Sequence, residues 1–257
     1  MGSQPPTRLA ILMADTPLPG TVAKYKDYGG VFTSLFTAAT APQPVAEVLT
    51  LTYHDVVNHV GSYPALADVD AVLITGSKHS AFGDDAWIMA LVAFVREALA
   101  TQGRVKVIGV CFGHQIVARA MQTPVIVNEK GWEVAVTELE LSSAGKEFFG
   151  LETLKIHQMH RDIAKDLPDG KADPSAPPPV ALASNGVCSQ QGFLWPGRAV
   201  TVQGHPEFTE GIVREILELR HDAGIHSDDL YKSGISRVAN EHDGVAIANA
   251  FLRFIRS

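Results

Sequence analysis

One stretch decides how this chain folds: Gly109-Val110-Cys111-Phe112-Gly113-His114-Gln115. It follows an apolar run at residues 105–108, which predicts a buried strand, and it precedes residues 116–120, which predict a helix. A cysteine between two glycines at a sharp strand-to-helix turn is typical of a nucleophile elbow. The glycines fit this interpretation, because a Cβ would clash where two backbone segments come this close.

The elbow places the sulfur of Cys111 beside the N-terminus of the predicted helix. The partial positive charge there favours a thiolate over a thiol, and the thiolate is the form that attacks a carbonyl carbon. A lone cysteine is more often a small buried hydrophobic residue, and we interpret Cys188 in that way because it lacks such a context. The sequence therefore predicts Cys111 as a catalytic nucleophile.

A cysteine nucleophile needs a base, and the base needs a group that orients it. Far downstream, an apolar run at residues 199–202 predicts another strand, and Gln203-Gly204-His205-Pro206-Glu207 follows it directly. His205 can act as the base and Glu207 can orient it, while Pro206 fixes one backbone dihedral between them. Both motifs come just after strands, at the edge where open α/β sheets place their sites.

The rest of the chain alternates between strand and helix patterns. Apolar strands are predicted at residues 9–13, 47–53 and 71–75, and helices are predicted to begin near residues 29, 84, 209 and 245. This alternation indicates a parallel sheet with helices on both faces. Alternating apolar and polar residues at 132–141, 180–183 and 191–195 favour antiparallel strands. We expect one domain over residues 1–257, with its core at about 9–255 and a surface loop at 167–179.

The two motifs, in this order, resemble the class I glutamine amidotransferases, and the resemblance covers roughly residues 9–255. In that family the G-x-C-x-G-H-Q segment carries the nucleophile, and a later H-P-E carries the other two members of the triad. The resemblance implies a triad of Cys111, His205 and Glu207. It also implies an α/β fold of the flavodoxin-like type, a three-layer sandwich with a mostly parallel central sheet and a small antiparallel extension.

The same resemblance implies further site residues. The family forms an oxyanion hole from the N–H after the nucleophile, here Phe112, and from a glycine loop after an earlier strand, here Gly76. The glutamine of the elbow motif, here Gln115, helps to hold the glutamyl group of the substrate. The segment at residues 154–162 lies where the family contacts its substrate, which makes His160 and Asp162 candidate contacts.

One position departs from the commonest pattern of the family. The residue before H-P-E is often aromatic in synthetase-linked members, but here it is Gly204. The elbow, the segment at residues 130–133 and this glycine are more similar to stand-alone members, which include plant γ-glutamyl peptidases. We therefore expect open space near the base, where the leaving amine of a peptide would fit.

The expected function is that of a cysteine hydrolase that cleaves γ-glutamyl amides through a thioester, with a γ-glutamyl peptide or a glutathione conjugate as substrate. One alternative is a glutaminase subunit that delivers ammonia to a separate synthetase partner. No G-x-x-x-x-G-K-[ST] motif for ATP occurs in the chain, so the synthetase would be another protein. A second alternative is a non-catalytic regulatory or binding module, and the intact triad argues against it.

Composition limits the partners of the protein. The net charge is −7 and no block of Lys and Arg occurs, so we expect no nucleic-acid partner. No apolar run approaches the roughly 18 residues of a membrane span, and the N-terminal segment lacks the apolar part of a signal peptide. We expect a cytoplasmic protein without a membrane partner, in which Cys111 and Cys188 are thiols, because a disulfide would consume the nucleophile.

Two histidines raise the question of a metal. His157 and His160 are three residues apart, a spacing that lets two ligands share a helix face. Their segment predicts a strand, however, and residues three apart on a strand point to opposite faces. We expect no metal and no other cofactor. We expect the histidines outside the elbow, this segment and the H-P-E motif to be solvated, namely His54, His59, His79, His221, His226 and His242.

Overall fold

The computed structural model describes residues 5–171, 173 and 176–257. In chain order, the strands are β1 (Thr7–Met13), β2 (Leu49–Asp55), β3 (Ala71–Ile74), β4 (Lys106–Val110), β5 (Val125–Val127), β6 (Glu133–Leu141), β7 (Thr153–His160), β8 (Asp162–Ala164), β9 (Val180–Ser184), β10 (Gly192–Trp195) and β11 (Ala199–Val202). The α-helices are α1 (Pro19–Tyr25), α2 (Tyr28–Thr40), α3 (Ala86–Ala100), α4 (Phe112–Ala120), α5 (Ser143–Phe149), α6 (Glu210–Asp222), α7 (Asp228–Arg237) and α8 (Gly244–Arg256).

The strands form one large mixed sheet. Among the described residues it has nine strands in the order β2-β1-β3-β4-β11-β10-β9-β6-β7. The pairs from β2 to β11 are parallel, and those from β11 to β7 are antiparallel. The fold is therefore flavodoxin-like, as the sequence predicts, although the antiparallel extension is larger than expected. β5 and β8 pair separately.

The parallel part of the sheet is buried on both faces. Leu9 and Ile11 of β1 pack with α2 and α8, whereas Ala10 and Leu12 of the same strand pack with α3 and α4. All four side chains are inaccessible to solvent. Successive side chains of a strand point to opposite faces, so a continuous apolar run is what a strand between two helical layers requires. These contacts produce the three-layer sandwich.

Several helices follow no pattern that the sequence analysis recognised. They are α1, α5 and α7, and each is short. Helix α7 fully buries only Gly234, and its apolar residues Leu230, Tyr231 and Ile235 pack on the core while only partly buried, so its apolar stripe is weak. Of the predicted loop at residues 167–179, positions 172, 174 and 175 lie outside the described residues, and the remainder contains neither helix nor strand.

No helix in the described part of the chain is both long and apolar enough to cross a membrane.

The order of the strands gathers the predicted motifs. Strands β3, β4 and β11 are neighbours and run in the same direction. Gly76 follows β3, Cys111 follows β4 and His205 follows β11, so all three residues lie at the carboxyl edge of the sheet. This is the edge at which open parallel sheets place their ligands.

Candidate active site

Cys111 occupies a strained turn between β4 and α4. Its backbone has φ 53° and ψ −104°, in a region that a residue with a side chain rarely adopts. Such a conformation costs roughly 1–3 kcal/mol and persists only where the surroundings enforce it. The surroundings enforce it here, because the turn packs tightly against β3: a Cβ on Gly113 would lie only 2.3 Å from the carbonyl oxygen of Ile74. The nucleophile elbow that the sequence predicts is present.

His205 is fixed by contacts on several sides. Its backbone N–H donates to the carbonyl of His157 in β7 at 2.7 Å. Its Nδ1 lies 2.8 Å from Oε1 of Glu207, and its ring stacks on Phe208 with centroids 3.8 Å apart. The side chain also lies close enough to Cys111 for a negative charge on the sulfur to raise the pKa of His205. The fold therefore brings Cys111, His205 and Glu207 together in the arrangement that a nucleophile, a base and an orienting group would require.

Charge holds a proton on His205. Burial alone would lower the pKa of this imidazole, because a charged group loses its hydration in the interior. The negative charges of Cys111 and Glu207 outweigh burial and raise the pKa of His205 to about 10. At neutral pH the imidazole of His205 is therefore protonated and able to supply a proton.

The two predicted oxyanion donors face the same cavity as the sulfur of Cys111. Gly76 and Phe112 both line it. Within the described residues, neither backbone N–H has an acceptor at hydrogen-bonding distance. A Cβ on Gly76 would lie only 2.5 Å from Cε1 of His205, so the loop after β3 touches the base. Two unpaired amides beside a nucleophile are what an oxyanion requires.

Gln115 and Asp162 meet at one side of the cavity. Nε2 of Gln115 donates to the backbone carbonyl of Asp162 at 2.7 Å and to Oε1 of Gln203 at 3.1 Å. The carboxylate of Asp162 accepts a hydrogen bond of 2.8 Å from Ser80. Because both N–H groups of Gln115 are engaged, only its Oε1 remains to accept a hydrogen bond from a ligand.

His160 also lines the cavity, but its ring nitrogens are directed at protein groups. Nε2 lies 3.2 Å from Oε2 of Glu133, and Nδ1 lies 3.3 Å from the carbonyl of Asp162. Burial would raise the pKa of Glu133, but the close contact with His160 and hydrogen bonds from Asn185 and Gln191 lower it instead. A charged Glu133 therefore anchors His160, and sequence reasoning did not single out this carboxylate.

Other histidines are unsuited to act as the base. His114 is completely buried, its Nδ1 lies 2.8 Å from the hydroxyl of Thr201, and burial lowers its pKa to about 3. His157 packs on the ring of His242, and burial likewise lowers the pKa of His157 to about 3. Both rings are therefore neutral at neutral pH. No group of three or more potential metal ligands occurs in the described part of the chain.

One histidine prediction is wrong. His226 was expected to be solvated, but it is only 2% exposed, and burial lowers its pKa to about 4. Its ring makes an edge contact with Trp132 at 5.1 Å. The chain around His226 folds against this tryptophan. Because the two residues are far apart in the sequence, no local sequence pattern could predict the contact.

The cavity in front of Cys111 has a volume of about 540 Å³. Beyond the predicted residues, its polar and aromatic lining includes Asp15, Tyr28, Lys78, Trp132, Arg161 and Arg220. The sequence analysis missed them. Asp15 follows the carboxyl end of β1, so its position could have been a signal. Arg220 lies outside any motif and reaches the cavity only through the tertiary fold.

Arg220 is the most unusual of these residues. Its guanidinium lies over the ring of Trp132, 4.7 Å from the centroid. Within the described residues, its Nη1 is buried and has no hydrogen-bond partner. Burial lowers the pKa of Arg220, while a negative charge on Cys111 and the carboxylate of Asp15 act in the opposite direction. A partly buried cation with an unpartnered Nη1, in the same cavity as Cys111, is suited to receive an anionic group.

The expectation of open space at Gly204 is wrong. Gly204 does not line the cavity. A Cβ there would lie 2.9 Å from the carbonyl oxygen of His157 and 2.9 Å from the side chain of Ile156. The glycine therefore allows the H-P-E segment to pack against β7, and it leaves the room beside the base unchanged.

Both cysteines are free thiols. Cys188 is completely buried, and burial raises its pKa to about 12. Such a thiol stays protonated and unreactive at neutral pH. This environment agrees with the interpretation of Cys188 as a packing residue.

Comparisons with known proteins agree with this architecture. The chain matches the family described as glutamine amidotransferase class-I over residues 43–220. A glutamine amidotransferase-like protein of Schizosaccharomyces pombe is 34% identical over 250 residues, covering 96% of this chain and 98% of that protein. Gamma-glutamyl peptidase 3 of Arabidopsis thaliana is 27% identical over 218 residues, covering 82% of this chain and 81% of its own. The crystal structure of a glutamine amidotransferase from Thermotoga maritima has a TM-score of 0.70 at 18% identity, covering 98% and 99% of the two chains.

Fold and site together define an α/β protein whose cysteine elbow faces a histidine–glutamate pair. The chain belongs to the class-I glutamine amidotransferase family. Gamma-glutamyl peptidases are among its more distant relatives, and membership of the family together with these relatives supports a hydrolase role.

Proposed function

We propose that this protein hydrolyses γ-glutamyl amides and that it prefers a γ-glutamyl peptide or a glutathione conjugate to free glutamine. The observation that carries the proposal is the ordered Cys111–His205–Glu207 arrangement at a cavity of about 540 Å³. Ligand cavities of about 300–1,000 Å³ suit molecules larger than a single amino acid. The names of the Arabidopsis relatives support the same substrate class.

In the first half of the reaction, the thiolate of Cys111 attacks the γ-carbonyl carbon of the substrate. The backbone N–H groups of Gly76 and Phe112 donate to the oxyanion that develops on the carbonyl oxygen. Because these donors are fixed before the charge forms, the stabilisation requires little reorganisation. The product of the attack is a tetrahedral intermediate bonded to sulfur.

His205 then transfers its proton to the nitrogen of the leaving amine. The carbon–nitrogen bond breaks, and a γ-glutamyl thioester remains on Cys111. The neutral imidazole takes a proton from water, which attacks the thioester, and glutamate leaves as the thiolate re-forms. Glu207 keeps the ring oriented through Nδ1 and favours its charged form during both proton transfers.

The identity of the leaving amine is the part of the proposal that rests on Arg220. Every γ-glutamyl substrate has an α-carboxylate on its glutamyl part, but only an amino acid or peptide adds a second carboxylate on the leaving side, whereas ammonia adds none. The buried Nη1 of Arg220 has no partner among the described residues. The guanidinium of Arg220 is also close enough to Cys111 for a charge on the sulfur to affect the pKa of the arginine. A carboxylate on the leaving side would satisfy this cation and recover the free energy lost by burial.

A substrate comparison tests the proposal. Glutamate release would be measured with purified protein for glutamine, a γ-glutamyl dipeptide, glutathione and an S-substituted glutathione. We expect higher kcat/KM for the peptides than for glutamine. Arg220→Met should lower kcat/KM for the peptides by about 10- to 150-fold, the equivalent of a charged hydrogen bond of about 1.5–3 kcal/mol. The same substitution should lower kcat/KM for glutamine much less.

Arg214→Met provides the matched control. Arg214 lies on the same helix, pairs with Glu210 at 2.7 Å and is not part of the cavity, so its loss should leave the substrate preference unchanged. If glutamine is the better substrate, or if a synthetase partner is needed before glutamine is used, the glutaminase-subunit alternative takes the place of the proposal. Absence of glutamate release from every substrate would favour the non-catalytic alternative.

A further inference from the structure

Gln203 links the nucleophile to the predicted substrate-binding glutamine. Its side chain is completely buried. Nε2 donates to the sulfur of Cys111 at 3.6 Å, and Oε1 accepts from Nε2 of Gln115 at 3.1 Å. The backbone N–H of Gln203 is held by the carbonyl of Gln191 in the loop before β10, so the link is anchored in the sheet. A polar side chain that is completely buried is normally hydrogen-bonded, and Gln203 uses both its donor and its acceptor within the site.

The orientation of both amide groups follows from one backbone carbonyl. The carbonyl oxygen of Asp162 can only accept, so the group of Gln115 that lies 2.7 Å away must be its NH₂. The same NH₂ contacts Gln203, which must therefore present its oxygen. The NH₂ of Gln203 is then directed at the sulfur of Cys111. The chain of donors and acceptors leaves no alternative assignment.

The link has consequences at both ends. At one end, an N–H directed at sulfur stabilises the negative charge of a thiolate and offers nothing to a thiol proton. At the other end, fixing the NH₂ of Gln115 leaves its Oε1 as the group that faces the cavity. That oxygen can accept a hydrogen bond from the ammonium group of a glutamyl substrate, and a flipped amide would present a donor to it instead.

We propose that Gln203 is a positioning residue that stabilises the reactive thiolate of Cys111 and holds Gln115 in the orientation that accepts the substrate. The proposal rests on the proposed role of Cys111 as nucleophile. It assigns to one buried amide two effects that are separable by experiment, because the sulfur uses its donor and Gln115 uses its acceptor.

Alkylation of Cys111 tests the first effect without any substrate. The rate of reaction with iodoacetamide would be measured as a function of pH in a Cys188→Ser background. Gln203→Met has no N–H, and Gln203→Glu places a carboxylate oxygen against the sulfur. The pH at half-maximal rate should rise by about one unit in Gln203→Met, a tenfold loss of thiolate at a fixed lower pH, and by more in Gln203→Glu.

Steady-state kinetics test the second effect. Gln203→Glu retains an oxygen for Gln115, so it should lower kcat while KM stays close to that of the parent protein. Gln203→Met loses both partners, so it should lower kcat and raise KM together. A residue that only filled space would not separate the two variants in this way.

Gln158→Met is the matched structural control. Gln158 is a completely buried glutamine of β7 that donates to Gln191 at 3.0 Å and does not contact Cys111. The Gln158→Met variant should lower the thermal midpoint of unfolding about as much as Gln203→Met does, and it should leave the pH dependence of Cys111 alkylation unchanged. The proposal is overturned if both Gln203 variants alkylate with the parental pH dependence. If that dependence shifts but no γ-glutamyl substrate is cleaved, the proposed function fails and the positioning role stands.

Discussion

Replacement of Gly76 by alanine tests the geometry of the site most directly. The added methyl would lie 2.5 Å from Cε1 of His205, 3.3 Å from its Nδ1 and 3.5 Å from its Nε2. Carbon atoms in contact are normally about 3.5–4.0 Å apart. The methyl therefore meets the Cε1 edge of the ring, and one of the two groups must move by about 1 Å.

The ring has little freedom to yield. Glu207 holds its Nδ1 at 2.8 Å, and Phe208 stacks on it at 3.8 Å. A misplacement of about 1 Å at a reacting group can cost about 100-fold in rate, and crowding of a packed site costs about 1–3 kcal/mol in stability. We expect Gly76→Ala to lower kcat/KM for a γ-glutamyl peptide by about 100-fold or more, with a modest fall in the thermal midpoint.

Glutamate release measures the rate, and circular dichroism during heating shows that the fold persists. Gly211→Ala is the control: Gly211 lies in α6, and a Cβ there meets nothing within 4 Å. Alanine in a helix is favoured over glycine by about 0.5–1 kcal/mol, so this variant should keep full activity and unfold at slightly higher temperature. A folded Gly76→Ala protein with most of its activity would refute the proposed contact between the β3 loop and the base.

The other predictions concern the triad and its supports. Cys111→Ser should reduce glutamate release by orders of magnitude with an unchanged fold, whereas Cys188→Ser should leave it nearly unchanged; substantial activity in the first variant would exclude this nucleophile. His205→Ala should match that loss, and Glu207→Gln should retain some activity because it orients without transferring a proton; equal, mild effects would place the base elsewhere. Burial lowers the pKa of His205, but the charges of Cys111 and Glu207 raise it from 6.5 to about 10, so the stability from its charge is complete below pH 6.5 and is lost as pH rises through about 10. Urea unfolding across this range should show the loss, and Glu207→Gln should make it smaller. Gly204→Ala should lower the thermal midpoint, since its Cβ would lie 2.9 Å from β7, and it should not change the ratio of peptide to glutamine hydrolysis; a changed ratio would restore a role for Gly204 in substrate choice.

The elbow could be predicted because its determinants are local. The apolar strand, the two glycines around the cysteine and the helix that follows all lie within residues 105–120. The parallel sheet could be predicted for a similar reason, since strands buried on both faces show continuous apolar runs. Helix α7 could not be predicted, because it fully buries only a glycine and its few apolar residues are only partly buried, which leaves a weak helical pattern.

The sequence by itself determined which residues are candidates for the triad, namely Cys111, His205 and Glu207, through their residue types and their places after strands. Only the tertiary structure decided what surrounds them, because those contacts join residues far apart in the chain. Gln203 meets Cys111 since β11 pairs with β4, and Arg220 reaches the cavity from a helix that carries no motif. Gly204 is an example of what the sequence could not decide. The sequence shows that this position has no side chain, but not whether the free space belongs to the cavity or to a neighbouring strand. The structure shows that β7 occupies it.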